Sequence, residues 1–410
     1  MRVDPSAVIE RLRALDQRSG GRRVAWSAVW SGERARLAND LAALPGVGVE
    51  TDAAGNLWAT LRGRRPETLV LGSHLDCVPD GGWLDGCLGV MVAAELLATA
   101  AHAGSPPCTL AVVDWADEEG SRFGHSLLGS SAAAGLLTSR DLAGLVDHEG
   151  IPIAAVLAEH GVNLQTVNDA GARLTWVGAY LELHIEQGPV LEAQGRSCAA
   201  VKGCGGARRM RLTFSGEAGH AGTVPMEHRR DPVRAAAEFI ATALRRARDD
   251  GGLATVGELQ ARPGTPTAIA TACHATLDVR HADVGALDRL EAAAVETAHA
   301  AAHDTGTTLG IEPLWSIDPI AFDSGLVADA IRHTDGRPAL TSGALHDAAA
   351  LARVGIPTAM VFVASRAGIS HSRAEDTSDA ALHTAITAFV ALASSTMQRL
   401  EAGRLARSPG

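Results

Sequence analysis

The sequence predicts an α/β fold with a mixed sheet, into which a smaller α+β domain is inserted. Three short apolar runs, 68–76, 109–117 and 180–187, are rich in strand-forming residues and end in polar side chains. An apolar helical run over 89–103 separates the first two. Strand, helix and strand in that order predict a parallel sheet, whose ligands bind at the carboxyl ends of the strands.

A change of pattern after residue 203 predicts the inserted domain. Two segments there alternate like one-sided strands and two have amphipathic helical spacing, in the order β-α-β-α. These segments are 209–214, 231–248, 274–280 and 284–303. A buried strand over 358–364 and a long helix over 378–404 then resume the first domain. We therefore expect a discontinuous first domain of residues 1–205 and 322–410, and an inserted second domain of residues 206–321.

Composition restricts the class of protein. A chain of 410 residues is long for one core, and its net charge of −11 argues against a nucleic-acid partner. The six cysteines have no paired spacing, which is typical of reduced thiols. Residues 1–17 lack the apolar core of a signal peptide, and we found no run long enough to predict a membrane span. We expect a cytoplasmic protein.

His74 ends the first predicted strand and is followed two residues later by Asp76. On an extended chain both side chains face the same way, so His74 can bind a metal while Asp76 accepts a hydrogen bond from the other ring nitrogen. A lone histidine of this kind is more often structural. Asp85, in a glycine-rich turn nine residues after Asp76, could equally be an ordinary turn aspartate.

An acidic triplet, Asp117-Glu118-Glu119, closes the second predicted strand. Three carboxylates directly after a strongly apolar run would repel one another without a cation. One of them can bind metal while its neighbour stays free as a base with a pKa near neutrality. Taken alone, the triplet is better interpreted as a solvated turn.

Two further histidines lie in or after predicted strands. His184 belongs to a buried strand, where an unpaired polar group would be costly, and His371 follows the strand over 358–364. Together with the groups above, they place His, Asp and Glu at the ends of four strands. Nitrogen and oxygen ligands without cysteine suit Zn, Mn, Co or Ni.

The motifs that carry these residues resemble one known family. They are, in chain order, GSHLDCVPDGGWLDGCLGV, DEEGSRFGHSLLGS, LELHIEQGPVLE, GEAGHAGTVPMEHRRDP, TLDVRH, SGALHDA and GISHSRAED. This order is similar to the hydantoinase/carbamoylase branch of the dinuclear metal aminoacylase and carboxypeptidase superfamily. That branch includes N-carbamoyl-L-amino acid hydrolases, β-ureidopropionases and allantoate amidohydrolases. The resemblance extends over most of the chain, and LHIEQGP with GHAGTVPM is specific to the branch.

The resemblance implies two divalent metal ions in each subunit. It places His74 and His184 on one ion, Glu119 and His371 on the other, and Asp85 as the bridging ligand. Asp76 would orient His74. Glu118 would deprotonate the water held between the ions and later protonate the departing nitrogen.

The resemblance also implies that residues 1–205 and 322–410 form the catalytic domain and that residues 206–321 form a lid or dimerisation domain. It further implies the substrate contacts. His220 would stabilise the oxyanion after closure of the inserted domain, from the same chain or from the partner subunit of a homodimer. Gln187 and His346 would contact the ureido group, and Arg280 would hold a substrate carboxylate with its planar fork. Thr267 stands at a position where the family normally has Asn, and it would contact the substrate less well.

Other differences from the family's usual residues also lie near the expected substrate contacts. Ala270-Thr271 replaces the usual Pro-Gly, and Leu345 replaces the usual Gly. We therefore expect hydrolysis of a C–N bond in an N-carbamoyl-L-amino acid or related ureido acid. Allantoate or another amide, a dipeptide or N-acyl amino acid, and a non-catalytic binding role are the alternatives. His184 argues against a dipeptidase, because other branches carry a carboxylate there, and the presence of Glu118 argues against loss of catalysis.

Overall fold

The computed structural model describes residues 2–405, which form two compact units. The first unit consists of Met1–Gly203 and Ala321–Gly410, and the second of Cys204–Ile320. The boundaries expected from the sequence, 205/206 and 321/322, lie within two residues of these divisions.

A nine-stranded mixed sheet forms the centre of the first unit. Its strands are β1 (Val47–Thr51), β2 (Leu57–Leu61), β3 (Thr68–His74), β4 (Thr109–Trp115), β5 (Val177–Ile185), β6 (Cys198–Cys204), β13 (Ile320–Ala321), β14 (Leu340–Ser342) and β15 (Thr358–Val363). The order across the sheet is β1-β2-β4-β3-β5-β15-β6-β13, and β14 pairs with β6. This architecture confirms the predicted fold class.

The central strands β4, β3, β5 and β15 run parallel to one another. Nearly every residue in them is buried, which agrees with continuous apolar runs rather than alternating ones. Because parallel strands end at the same edge of a sheet, the polar residues that follow them are brought together there.

Helices pack against the strands of this sheet. They are α1 (Pro5–Ser19), α2 (Ala28–Ala42), α3 (Cys87–Ala103), α4 (Leu128–Ala133), α5 (Ser139–Leu142), α6 (Ile153–Glu159), α7 (Val190–Ala193), α10 (Ser324–His333), α11 (Asp347–Arg353) and α12 (Asp379–Glu401), with 3₁₀ helices at Val167–Trp176 and Arg366–Gly368. Helix α3 packs on β3, β4 and β5, and α12 packs on β5 and β15. Within residues 2–405, α12 is the one helix long and apolar enough to cross a membrane, but 61% of its apolar stretch is buried in the protein, as in a core helix.

The second unit is a four-stranded antiparallel sheet covered by two helices. Its elements are β7 (Gly206–Ser215), β8 (Gly219–His220), α8 (Pro232–Asp249), β9 (Leu253–Arg262), β10 (Ala268–Ile269), β11 (Ala272–His281), α9 (Val284–Thr305) and β12 (Thr308–Ile317), with a 3₁₀ helix at Met226–His228. The sheet order is β12-β7-β11-β9, and β8 and β10 form a separate two-stranded ribbon. Phe214, Phe239 and Leu277 belong to the core between the sheet and the two helices.

Candidate metal centre

Two groups of ligand-type side chains meet at the carboxyl edge of the parallel strands. One comprises His74, Asp85 and His184, and the other comprises Asp85, Glu119 and His371. Within each group the candidate ligand atoms all lie within 4.8 Å of one another. The structure thus brings together the five residues expected as metal ligands, all of them in the first unit.

Asp85 belongs to both groups. Its Oδ1 lies 3.1 Å from His184 Nε2 and 3.9 Å from His74 Nε2. Its Oδ2 lies 3.4 Å from His371 Nε2, which is also 3.4 Å from Glu119 Oε2. Each of the two oxygens of the Asp85 carboxylate therefore faces a different ligand group, as the oxygens of a bridging ligand must.

Local backbone geometry places these side chains. His74 is the last residue of β3, His184 lies near the end of β5, and His371 has a left-handed φ of 53° in the loop after β15. Gly86, between Asp85 and α3, has a φ of 64°, and a Cβ there would lie 2.3 Å from the carbonyl oxygen of His74. Only glycine fits this turn, which brings Asp85 next to the end of β3.

The chemistry of the site fits divalent cations. His74, Asp85 and His184 are almost completely buried. Among the described residues, Glu119 Oε1 is buried without a hydrogen-bond partner, and His184 Nε2 is buried with Asp85 Oδ1 at 3.1 Å but outside hydrogen-bond geometry. Orphaned polar atoms of this kind are costly unless they have a ligand, and imidazole nitrogens with carboxylate oxygens suit Zn, Mn, Co or Ni.

Burial also perturbs the acid–base properties of the carboxylates. Desolvation, together with the nearby charge of Asp85, raises the pKa of Glu119 to about 8. Desolvation likewise raises the pKa of Glu118 well above its usual range, although the positive charge of His74 opposes this. The pKa of Asp85 is lowered, because interactions with His184 and His74 outweigh its desolvation. A bound cation would favour the ionised forms of the carboxylates.

Glu118 lies beside the group of His74, Asp85 and His184 and directly precedes Glu119 in the chain, without belonging to either group. Its Oε2 is 3.7 Å from His74 Nε2, and the residue is 9% exposed. The carboxylate of Asp76 accepts hydrogen bonds from the backbone N–H groups of Glu118, at 3.3 Å, and Glu119, at 3.1 Å. Asp76 therefore holds the backbone of Glu118 and Glu119 in place.

The contact between Asp76 and His74 differs from the one expected. His74 Nδ1 lies 3.1 Å from the backbone carbonyl oxygen of Asp76 and 3.6 Å from its carboxylate. The carboxylate is turned toward the two backbone N–H groups, so the carbonyl oxygen takes its place as the partner of the imidazole. A carbonyl acceptor can still fix the tautomer of a metal-binding histidine.

Gln187 and His346, the expected ureido contacts, also lie at the centre. Gln187 Nε2 donates a 2.8 Å hydrogen bond to Asp85 Oδ2 and lies 3.3 Å from His371 Nε2. The ring of His346 lies 4.4 Å from that of His184, centroid to centroid. Burial, reinforced by the positive charge of His184, lowers the pKa of His346 well below its usual value, so its imidazole is neutral.

Sequence reasoning missed a set of supporting residues. Glu375 accepts hydrogen bonds from the backbone N–H groups of Leu84, at 2.9 Å, and Asp85, at 3.1 Å. Ser370 Oγ donates to Asp85 Oδ2 at 2.9 Å. Both lie in the GISHSRAED motif, where an acid four residues after His371 was the available signal.

Glu182 is another missed residue. It forms a third group of ligand-type side chains with His184 and His346. Its oxygens already accept hydrogen bonds from Ser73 Oγ, at 2.8 Å, and Tyr180 OH, at 3.1 Å. The oxygens of Glu182 therefore already have hydrogen-bond donors within the protein, and Glu182 supports the site from its position beside His184.

The remaining expected residues belong to the second unit. His220 pairs with Ala268 in the β8–β10 ribbon, and the backbone N–H of Ala221 donates to Thr267 O at 2.9 Å. His220 and Thr267 are thus neighbours near the beginning of β11. Arg280 lies near the other end of that strand, where its Nε donates to Asp278 Oδ1 at 2.8 Å. The structure does not place Arg280 next to the other two.

The fold and the buried histidine–carboxylate groups define a hydrolase that uses divalent metal. Residues 70–395 match Peptidase family M20/M25/M40, and the chain belongs to this family. It is 37% identical over 352 residues to the N-carbamoyl-L-amino acid amidohydrolase of Geobacillus stearothermophilus, covering 83% of this chain and 86% of that protein. It is 33% identical over 376 residues to the allantoate amidohydrolase of Escherichia coli (strain K12), covering 88% and 89%.

A solved structure gives the same result. The amidase of the hydantoinase/carbamoylase family from Burkholderia multivorans superposes with a TM-score of 0.85 at 30% identity, covering 96% of this chain and 98% of that one. The predicted resemblance is confirmed. The chain is an amidohydrolase that acts on non-peptide C–N bonds.

Proposed function

We propose that this protein is a dinuclear metal amidohydrolase that cleaves a C–N bond of an N-carbamoyl-L-amino acid or a related ureido acid. The observation that carries the proposal is the position of Asp85, whose two oxygens face the two separate ligand groups. His74 and His184 would hold one ion, Glu119 and His371 the other, and Asp85 both. Bound divalent cations supply Lewis acidity toward the carbonyl group and lower the pKa of water.

Glu118 is the proton carrier in this proposal. It is buried beside His74, it is not needed as a ligand, and its raised pKa suits a group that both accepts and returns a proton. Its carboxylate takes a proton from the attacking water as the oxygen bonds to the carbonyl carbon. The same proton then goes to the nitrogen as the C–N bond breaks.

Gln187 and His346 are the residues proposed to recognise the ureido group. Gln187 offers amide donors and an acceptor, and its Oε1 is buried without a hydrogen-bond partner among the described residues. The neutral imidazole of His346 can donate or accept one hydrogen bond. Both side chains can therefore match a group that presents N–H donors and a carbonyl oxygen.

The second unit supplies the remaining contacts, and its geometry favours a homodimer. Eight residues of extended chain, from Ala272 to Arg280, span about 27 Å. A substrate as small as an N-carbamoyl amino acid cannot touch both Arg280 and the His220–Thr267 pair of one chain. If both ends of β11 serve catalysis, they serve different active sites, and His220 reaches the site of the partner subunit.

The E. coli relative named allantoate amidohydrolase supports a second candidate substrate, allantoate. Replacement of the family's Asn by Thr267 is in keeping with a changed substrate. The proposed cytoplasmic location suits either metabolite.

A substrate panel on metal-reconstituted enzyme tests both candidates. The panel contains N-carbamoyl-L-amino acids, their D-enantiomers, allantoate, N-acetyl amino acids and dipeptides, with ammonia and amine release measured separately. Cleavage of a terminal ureido group releases ammonia, whereas dipeptides and N-acetyl amino acids release only an amine. Turnover restricted to dipeptides or N-acetyl amino acids would overturn the proposal.

A further inference from the structure

The parallel strands have a cavity at the end away from the metal-ligand residues. It has a volume of about 520 Å³, and Thr68, Thr109 and Val177, the first residues of β3, β4 and β5, line it. Arg62, Arg64, Arg65, Arg173, Trp58 and Trp176 also line it. We call it the arginine–tryptophan cavity.

The charge of this cavity is opposite to that of the protein. Four of its lining residues are arginines, and no Asp or Glu of residues 2–405 lines it, in a chain whose net charge is −11. Like charges gathered around one cavity raise the local potential and attract anions.

The carboxylates that pair with these arginines lie outside the lining. Glu401 accepts from Arg64 Nη2 at 2.8 Å, and its backbone oxygen accepts from Arg65, so the two guanidinium groups are held near each other. Arg173 pairs with Glu50, Arg65 Nε lies 3.8 Å from Glu67 Oε2, and Arg62 has no ion-pair partner within the described part of the chain. Exposed pairs of this kind are weak, and each guanidinium has five donors, so donors remain for a ligand.

Two tryptophans line the same cavity as the arginines. Trp176, the last residue of the 3₁₀ helix Val167–Trp176, is 63% exposed. Trp58, on β2, is buried and its Nε1 donates to Asp52 Oδ2 at 2.8 Å, which fixes its ring. An exposed indole beside guanidinium groups can stack a flat ring whose charged substituent the arginines hold.

We propose that the arginine–tryptophan cavity is a binding site for a small polyanion, and that it takes a nucleoside phosphate with the phosphate on the arginines and the base against Trp176. Planar guanidinium forks match phosphate oxygens, and the volume of the cavity is within the range of small-molecule sites. The site is separate from the metal centre and stands whether or not the proposed substrate is correct.

Calorimetric titration of the metal-loaded full-length protein tests the proposal, with AMP, inorganic phosphate and adenosine as probes. AMP should bind most tightly, phosphate more weakly and adenosine least. Arg62→Gln and Arg173→Gln should each weaken AMP binding roughly tenfold, the effect of losing one charge-assisted hydrogen bond. Added salt should weaken it further.

Three variants distinguish this cavity from other anion sites. Arg140→Gln removes an exposed arginine from α5 and should leave AMP binding unchanged. Asp85→Asn disables the metal centre and should leave AMP binding intact. Trp176→Ala should weaken AMP binding while leaving phosphate binding unchanged.

The proposal is overturned if AMP shows no saturable binding up to roughly 1 mM. It also fails if adenosine binds as well as AMP, or if AMP binding is lost in Asp85→Asn but kept in the two cavity arginine variants. Equal AMP affinity in Trp176→Ala and wild type would overturn the proposed stacking.

Discussion

The indole Nε1 of Trp26 donates a 2.7 Å hydrogen bond to the carboxylate of Asp117, the residue directly before Glu118. Asp117 is fully buried and has a left-handed φ of 57°. Its other oxygen has no hydrogen-bond partner among the described residues. This bond therefore fixes the turn that follows β4 and, with it, the direction in which Glu118 points.

Trp26→Phe keeps most of the ring and removes the donor. We expect kcat to fall by roughly 5–10-fold, the loss corresponding to about 1 kcal/mol of one hydrogen bond, with little change in KM. The matched control is Trp30→Phe, because Trp30 is equally buried but its Nε1 has no partner within residues 2–405. An equal fall in kcat in both variants would show that ring packing, rather than the bond, is responsible.

Glu118→Gln should separate proton transfer from metal binding. The amide keeps the shape of the side chain but cannot accept a proton, so kcat should fall by roughly 10²–10⁴. The metal content, measured by mass spectrometry, should stay at the wild-type value. Glu119→Gln is the paired variant and should lose metal. If the metal contents of the two variants are reversed, the two glutamates have exchanged roles.

Asp85→Asn should affect both ions at once, because each oxygen of Asp85 faces one ligand group. We expect wild-type enzyme to bind two divalent ions per chain and this variant to lose both. His371→Ala should lose mainly one. Removal of metal from wild type should abolish hydrolysis, and Mn, Co, Ni or Zn should restore it. Full activity in a rigorously metal-free preparation would falsify the mechanism.

Mixed dimers test the separation of His220 and Arg280 along β11. The His220→Ala and Arg280→Ala enzymes should each be nearly inactive. Co-expressed, they should regain activity at about one quarter of the wild-type value, because half the dimers are mixed and each has one complete site. Inactive mixtures with proven subunit exchange would mean that one chain supplies both residues to the same site.

Arg280 and Thr267 are the residues expected to recognise a substrate carboxylate. Arg280→Lys should raise KM, because a point charge cannot reproduce a planar fork. Thr267→Asn should improve kcat/KM for N-carbamoyl-L-amino acids by the roughly 1 kcal/mol of one added hydrogen bond. If Arg280→Lys is harmless and Thr267→Asn gains nothing across the panel, the substrate lies outside the carbamoyl amino acids.

The parts of the fold that could be predicted are those with strong local patterns. The buried parallel strands β3, β4, β5 and β15 are continuous apolar runs, and each was expected within a few residues of its position. The expected runs extended past His74 and Trp115 because the residues after them leave the sheet to build the site. Strands β9 and β12 were missed, since both are edge strands whose residues are largely exposed and whose burial alternates only over the first five residues.

The candidate site also has residues that the sequence predicts and residues that it does not. His74, Asp85, Glu119, His184 and His371 stand in recognisable motifs, and the parallel sheet then dictates that they meet. Trp26 could not be predicted as a support, because 91 residues separate it from Asp117. Glu375 stands in the GISHSRAED motif, but 290 residues separate it from Asp85, so the motif alone does not reveal this contact. Their roles depend on distant contacts that only the folded chain reveals.

The second unit leaves and rejoins the first at neighbouring strands, since β6 pairs with β13 and Phe322 N donates to Lys202 O at 3.0 Å. An insertion whose two ends lie side by side is modular, and a short linker could take its place without displacing any expected metal ligand. The second unit, which carries the proposed contacts of His220, Thr267 and Arg280, could therefore be exchanged during evolution while the metal-ligand residues of the first unit stay in place.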